Sequence, residues 1–251
     1  MRLHLVLGLG LSIASLACRS KAPATSGVDP ANIVAAVDRT AKDRELDASR
    51  KPIETLSFFG LAPGMRVADL GAGAGYTTEL VARAVGPTGK VFAQDSPDWD
   101  GAWLKKAWQD RLARPALANT THVMRQWNAP LPPEATNLDA VTFVCAYHDV
   151  LAEKLDPHAL DAAVFAALKP GGTFVIIDNS AKDGSGATDA ETLHRIDERL
   201  VRADLEQAGF VRVAEASFLR NPADGRDWNA DPGADPRTRT QDRFVLKYKK
   251  P

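Results

Sequence analysis

Apolar and polar positions alternate along the chain in two different rhythms. Short apolar runs that end at a glycine or an acid predict strands, and longer stretches with apolar residues at helical spacing predict helices. The run 138–145 is apolar enough to be buried on both faces of a sheet. The predicted strands are 65–70, 90–95, 122–125, 138–145, 173–178, 211–218 and 243–249, and the predicted helices are 76–85, 102–113, 157–169 and one long helix from Asp189 to Gly209.

This succession of strands and helices predicts an α/β fold with a doubly wound, mostly parallel sheet. An additional helical segment is expected over 30–59, before the first strand. Ligands of such sheets bind beyond the carboxyl ends of the strands. The chemistry is therefore expected just after Leu70, Asp95, Arg125, Cys145 and Asp178.

The most informative of these places is the turn between the first strand and the next helix, which has three glycines at alternate positions. Glycine lets the backbone turn sharply and approach a ligand closely. A dinucleotide-binding loop would read G-x-G-x-x-G, whereas the spacing here is G-x-G-x-G after an acid. This spacing resembles the S-adenosylmethionine (SAM) motif of class I methyltransferases; a tight packing turn is the alternative. The predicted cofactor-binding residues of this loop are Asp69, Gly71, Ala72, Gly73, Gly75 and Tyr76.

Two further strand ends are consistent with a nucleoside ligand. Asp95 ends the second strand, where an acid can accept hydrogen bonds from both ribose hydroxyls. NAD enzymes also place an acid there, and a cap for the following segment is the plain structural alternative. After the third strand, Trp127 and Asn128 are expected to flank the adenine, although Trp127 is equally suited to the core.

The end of the fourth strand carries the candidate catalytic residues Tyr147, His148 and Asp149. Histidine has a pKa suited to a general base at neutral pH, and an adjacent carboxylate can orient it or act as a base itself. An aromatic face attracts a sulfonium cation. The alternative is a histidine bonded to the backbone beneath the loop, with the tyrosine as packing.

His194 is a fourth catalytic candidate, near the end of the fifth strand. It is expected to approach His148 across the cleft, or to lie beside an anionic substrate bound by Arg195. The alternatives are a helix-surface position or a buried histidine with its hydrogen bonds satisfied. Asp178 and Asn179 either line the same cleft or form a turn. Arg50 or Lys51 either reaches the carboxylate of the cofactor or lies on a solvated helix face. The long polar segment 220–241 is expected to be a lid or a mobile loop.

Motifs outside the glycine loop extend the resemblance over residues 38–251. They are Arg50-Lys51-Pro52, Pro63-Gly64-Met65, Leu168-Lys169-Pro170-Gly171-Gly172, Leu193-His194-Arg195-Ile196-Asp197 and Asp242-Arg243-Phe244-Val245-Leu246. The chain resembles a bacterial group of methyltransferases that often have signal peptides. The resemblance implies a Rossmann-like, seven-stranded sheet with an antiparallel last strand, SAM as cofactor, and methyl transfer. It implies no substrate, and an unidentified small molecule is the expected acceptor.

The first residues differ in composition from the rest of the chain. Arg2 precedes the apolar run 3–16, which ends in Ser15-Leu16-Ala17-Cys18. This pattern predicts a signal peptide over 1–18 with lipidation of Cys18, a flexible tether over 19–29, and a single methyltransferase-like domain over 30–251. The expected location is the cell envelope or periplasm, with membrane attachment only through the lipid. An ordinary secretory signal or an uncleaved anchor is the alternative.

Overall composition excludes several function classes. The net charge of −1 gives no general electrostatic attraction to nucleic acid. The chain has two cysteines, Cys18 and Cys145, so lipidation of the first leaves no internal disulfide. No spacing of Cys and His indicates a metal site. The alternatives to a methyltransferase are an inactive binding protein with the same fold and an NAD-dependent oxidoreductase.

Overall fold

The computed structural model describes residues 28–251, in which seven strands form one sheet. The strand order is β3-β2-β1-β4-β5-β7-β6, and β7 is antiparallel to both of its neighbours while the other pairs are parallel. The predicted fold class is confirmed. The strands are β1 (Arg66–Leu70), β2 (Lys90–Asp95), β3 (Thr120–Met124), β4 (Leu138–Val144), β5 (Leu168–Asn179), β6 (Val211–Ala216) and β7 (Arg243–Lys249).

Helices cover both faces of the sheet. Alternate residues of a strand point to opposite faces, so Val67 of β1 joins one hydrophobic core and Ala68 joins the other. The first core packs under α1, α3, α4 and α5, and the second under α6, α7 and α9. The helices are α1 (Pro30–Ala35), α2 (Ala41–Arg50), α3 (Pro52–Phe59), α4 (Tyr76–Val85), α5 (Ala102–Leu112), α6 (Tyr147–Ala152), α7 (Pro157–Ala167), α8 (Ala190–Leu193) and α9 (Glu198–Gln207). No helix of residues 28–251 has the length and apolar character that crossing a membrane requires.

The single long helix predicted from Asp189 to Gly209 is wrong. His194 has a left-handed backbone, with φ of 50°, and ends α8. Ile196 then forms a parallel β-bridge with Ser180, and the side chain of Asp197 caps α9 by accepting the backbone N–H of Arg199. The segment between α8 and α9 therefore pairs with the chain that follows β5. The sequence pattern does not reveal this, because the backbone partners come from a separate strand end.

A buried ion pair fixes this extended segment to the long loop 220–241. The fully buried guanidinium of Arg195 lies 2.9 Å from Asp224 and donates to the carbonyls of Ser180 and Trp228. The ring of Trp228 is buried 4.6 Å from the same guanidinium, and its indole N–H donates to Asp224. The loop is therefore attached to the domain through its first half.

A second buried polar group lies beneath the sheet, between α6, α7 and α9. The hydroxyl of Tyr147 is 3.0 Å from Asp161 and 3.3 Å from Asp204, and all three residues are buried. Burial raises the pKa of Asp161 to about 8. The charge of Asp204 also raises this pKa, whereas the hydrogen bond from Tyr147 lowers it. Asp161 is therefore protonated in the folded protein at neutral pH.

Asp161→Asn should weaken the pH dependence of stability. Because the folded pKa of Asp161 is raised, wild-type stability falls as pH rises from about 4 to about 8, by up to about 1.4 kcal/mol per unit. An amide cannot ionise, so the variant should lose less stability over this interval. Denaturant unfolding at several pH values measures it, with exposed Glu206→Gln on α9 as control. Equal pH slopes for wild type and Asp161→Asn would contradict the assignment.

Candidate functional site

A cavity of about 1200 Å³ lies at the carboxyl ends of the strands, where the topology predicts the ligand. The glycine loop forms one side of this cavity, and residues from the ends of β4 and β5 form another. The segment after β2, the end of α2 and the second half of the loop 220–241 complete the lining.

The three glycines of the loop serve different purposes, although each has a left-handed backbone. A Cβ at Gly71 would overlap the Cβ of Ala146, and one at Gly75 would lie 2.6 Å from the side chain of Arg111. Gly71 and Gly75 are therefore required for packing. A Cβ at Gly73 would meet no heavy atom within 4 Å, and Gly73 lines the cavity. Gly73 is the position at which a ligand can approach the backbone.

The carboxylate of Asp95 holds the glycine loop in place from its buried side. It accepts the Gly73 N–H at 2.6 Å and the indole N–H of Trp108 at 3.0 Å, and it lies 2.9 Å from Nε2 of His122. The residue is fully buried and is absent from the cavity lining. Asp95 thus lies beneath the loop and positions it, whereas a direct contact with ribose was expected.

Asp69 and Tyr76 line the cavity as expected. Asp69 accepts hydrogen bonds from the hydroxyls of Thr78 and Thr142, at 2.6 and 2.7 Å, while burial raises its pKa to about 6. The hydroxyl of Tyr76 donates to Asp47 of α2 at 2.7 Å. This bond ties the N-terminal helices to the glycine loop. Ala72 also lines the cavity.

The expected adenine contacts need correction. Trp127 is fully buried and does not line the cavity, because its ring packs into the core against Phe143. Asn128 is exposed outside the cavity. Trp99 lines the cavity instead, and its ring stands edge-on to Trp127 with centroids 5.4 Å apart. The signal in the sequence is an aromatic residue four positions after the acid that ends β2.

Arg50 is a cation in the cavity wall, beside Tyr76. It is the last residue of α2, its guanidinium lies 4.7 Å from the centre of the Tyr76 ring, and it lines the cavity. Within residues 28–251, no carboxylate oxygen lies within the 4.0 Å ion-pair distance of this guanidinium. Burial lowers the pKa of Arg50, and neighbouring Arg243 acts in the same direction. This end of the cavity is therefore suited to an anionic group.

Three of the expected catalytic residues meet in the cavity wall. His148 is buried at the start of α6, and its Nδ1 lies 2.8 Å from Oδ1 of Asp178. Its Nε2 is 3.5 Å from Oδ1 of Asp149, and Nδ1 of His194 is 3.7 Å from the same oxygen. The structure thus brings together His148 and His194, which are far apart in the sequence.

Electrostatics alter the expected protonation of His148. Burial opposes the charged imidazolium, but the carboxylates of Asp178 and Asp149 outweigh it and raise the pKa of His148 to about 9. These carboxylates therefore favour the imidazolium at neutral pH, whereas a neutral base was expected. The reason is Asp178, which also accepts the backbone N–H of His148 at 2.9 Å.

Tyr147 does not share this site, contrary to expectation. Successive residues of a helix point about 100° apart, and Tyr147 faces the core below the sheet while His148 faces the cavity. The hydroxyl of Tyr147 lies in the group with Asp161 and Asp204. It therefore has no contact with a ligand in the cavity.

Comparison with solved structures defines the class of fold. A SAM-dependent methyltransferase from Aquifex aeolicus matches with a TM-score of 0.58 and 22% identity, over 83% of this chain and 96% of that chain. One from Mesorhizobium loti matches with a TM-score of 0.57 and 17% identity, over 81% and 99%. The [4+2]-cyclase SpnF has a TM-score of 0.57 and 16% identity, over 84% and 81%. The chain has the fold of the SAM-dependent methyltransferases.

Sequence comparison agrees with this class. Residues 46–97 match the profile of protein-L-isoaspartate(D-aspartate) O-methyltransferases. The chain is 30% identical to the ubiquinone/menaquinone biosynthesis C-methyltransferase UbiE of Ectopseudomonas mendocina over 128 residues, and 29% identical to that of Shewanella halifaxensis over 126. These matches cover 50% of this chain and 46% and 47% of the relatives, so the chain spans about half their length. They agree with the predicted enzyme class and with SAM as its cofactor.

Gly73→Ala should weaken SAM binding. It should lower the free energy of unfolding no more than Gly→Ala at another left-handed position does. A left-handed alanine costs about 1–2 kcal/mol wherever it is placed, but at Gly73 the new methyl group also projects into the cavity beside the strand ends. Calorimetry should show affinity reduced about tenfold or more, equivalent to about 1.4 kcal/mol. Gly186→Ala is the matched control, because Gly186 has a similar φ of 58° and open space around it outside the cavity. Equal SAM affinity in both variants would place the cofactor elsewhere.

Proposed function

We propose that the protein is a SAM-dependent methyltransferase that acts on a small-molecule acceptor. The observation that carries this proposal is one cavity in which the open Gly73, the cation Arg50 and the His148–His194 cluster all take part. When bound, SAM supplies a methyl group made electrophilic by its sulfonium. The cavity of about 1200 Å³ exceeds the roughly 300–1,000 Å³ of most ligand pockets, so it has room for cofactor and acceptor together.

The cavity has residues suited to the charged methionyl group of SAM and others suited to its nucleoside. Arg50 offers a guanidinium to the carboxylate of the methionyl group, a pairing that is strong when bidentate and shielded from water. Trp99 and the glycine loop offer apolar and backbone surface to the nucleoside.

The glycine spacing supports SAM over a dinucleotide. The loop reads G-x-G-x-G after Asp69, whereas a dinucleotide-binding loop would place its third glycine one residue later.

The His148–His194 cluster is assigned to the acceptor. In methyl transfer the acceptor atom bonds to the methyl carbon while the S–C bond breaks, and its electron pair returns to sulfur. The enzyme's main contribution is to hold the attacking atom in line. His148 is fixed by Asp178 through Nδ1, which leaves Nε2 in the cavity wall to orient a hydroxyl or thiol of the acceptor.

Calorimetry with the purified protein tests the cofactor. SAM and S-adenosylhomocysteine should bind at micromolar concentration, and NAD should not. Arg50→Met should weaken both by about 10–100-fold, as loss of a charge-assisted pair does, but leave 5′-methylthioadenosine, which lacks the carboxylate, unaffected. Arg44→Met, an exposed position on α2, is the control.

Absence of SAM binding by the folded wild-type protein would reject the methyltransferase and favour a binding protein with the same fold. SAM binding without methyl transfer in an acceptor screen would favour an inactive member of the class. If Arg50→Met weakened methylthioadenosine equally, its role at the carboxylate would be wrong.

We also propose that the protein is exported and anchored to the cell envelope through lipidated Cys18. The proposal rests on Arg2, the apolar run 3–16 and the Ser15-Leu16-Ala17-Cys18 box, which lie outside the described residues. Mass spectrometry of the protein from a bacterial membrane fraction should find an acylated N-terminus at Cys18, and Cys18→Ser should abolish it. An intact Met1 in the membrane fraction would instead indicate an uncleaved anchor.

A further inference from the structure

We propose that His148, Asp149 and His194 bind a divalent transition-metal ion of the Zn²⁺ type in the wall of the cavity. The site offers one ligand atom from each residue, and these atoms all lie within 4.8 Å of one another. Binding of the ion does not depend on the proposed methyltransferase activity. The role of the ion toward the acceptor rests on that proposed activity.

The separations between these atoms suit a shared ion better than hydrogen bonds. Nε2 of His148 and Nδ1 of His194 lie 3.5 and 3.7 Å from Oδ1 of Asp149. Hydrogen bonds of this kind are about 2.7–3.2 Å long. Ligands on a tetrahedral ion with bonds of about 2.0–2.1 Å are roughly 3.3 Å apart. A small movement of the side chains therefore gives a metal geometry.

His148 has the surroundings of a metal ligand. It is only 3% exposed, and its Nδ1 is engaged by Asp178, so Nε2 is the atom directed at the cluster. Among residues 28–251, Nε2 has no hydrogen-bond partner. A carboxylate behind a ligating imidazole fixes its tautomer and orientation in many metal sites. Asp178 is itself held by the backbone N–H of Asn179 at 2.7 Å.

Hydrogen bonds within the protein also hold the backbone of His194, so its position does not depend on a bound ion. Its carbonyl accepts a hydrogen bond from the side chain of Asn179 at 3.0 Å, and the backbone carbonyl of Leu193 accepts the N–H of Ala230. The left-handed backbone turns the ring toward His148, with ring centroids 5.4 Å apart. Both histidines are therefore held by the end of β5.

The donor set selects the kind of ion. Two imidazole nitrogens and one carboxylate are typical of Zn²⁺ and of non-haem Fe²⁺, whereas Mg²⁺ and Ca²⁺ prefer oxygen ligands. All three residues line the cavity, and an ion with three protein ligands would keep at least one position for another group. A hydroxyl or thiol of the acceptor that binds there loses its proton to solvent more easily, because the ion lowers its pKa. The inferred acceptor class is therefore an alcohol, phenol or thiol.

Cobalt and zinc titrations of the metal-stripped, full-length protein test the site. Co²⁺ should give visible absorption of a tetrahedral or five-coordinate ion at one equivalent, and Zn²⁺ should displace it. His194→Asn keeps a residue that tolerates the left-handed backbone and should weaken binding at least tenfold. Asp178→Asn should weaken binding about 10–100-fold. Exposed His158→Asn is the control and should bind like wild type.

No Co²⁺ absorption in wild type, or equal affinity in folded wild type and His194→Asn, would overturn the metal site. SAM binding measured in the same samples separates the two proposals. Metal binding without SAM binding would leave this site and reject the methyltransferase. SAM binding without metal binding would reject the metal site and leave the proposed methyltransferase.

Discussion

The buried carboxylate of Asp95 is the interaction on which the cavity depends. A buried charge is unfavourable unless several donors satisfy it, and the three groups around Asp95 come from the glycine loop, α5 and β3. The rings of Trp108 and His122 also stack, with centroids 4.1 Å apart. The left-handed turn at Gly73 is therefore fixed by a polar centre below it, and the backbone surface of the loop is formed before any ligand arrives.

The sequence was sufficient for the sheet, the position of the ligand and the glycine loop, because these depend on local periodicity and on strand ends. It was insufficient for the direction of individual side chains. Asp95 and Trp127 lie at the expected strand ends but point into the core, and Tyr147 faces away from its neighbour His148. Direction at a strand end depends on which donors and rings lie below it, and those come from distant segments.

The break between α8 and α9 was missed for a related reason. Its residues have helical spacing, and the carbonyl of Asn179 and the fully buried pair Arg195–Asp224 decide the outcome. His194 was expected to approach His148, and the structure brings them together. The cause is the extended segment after α8, which pairs with the end of β5. The same convergence explains why spacing in the sequence did not indicate a metal site, since the ligands come from two separate strand ends.

The buried pair Arg195–Asp224 also has a consequence for motion. Arg195 joins the loop 220–241 to the residue that follows His194, so detachment of the loop would leave a guanidinium buried without its carboxylate. Segments linked in this way open together rather than one by one. The loop, the bridge at Ile196 and the ring of His194 thus form one cooperative unit, and a local opening there would remove the acceptor side of the cavity while the glycine loop remained folded.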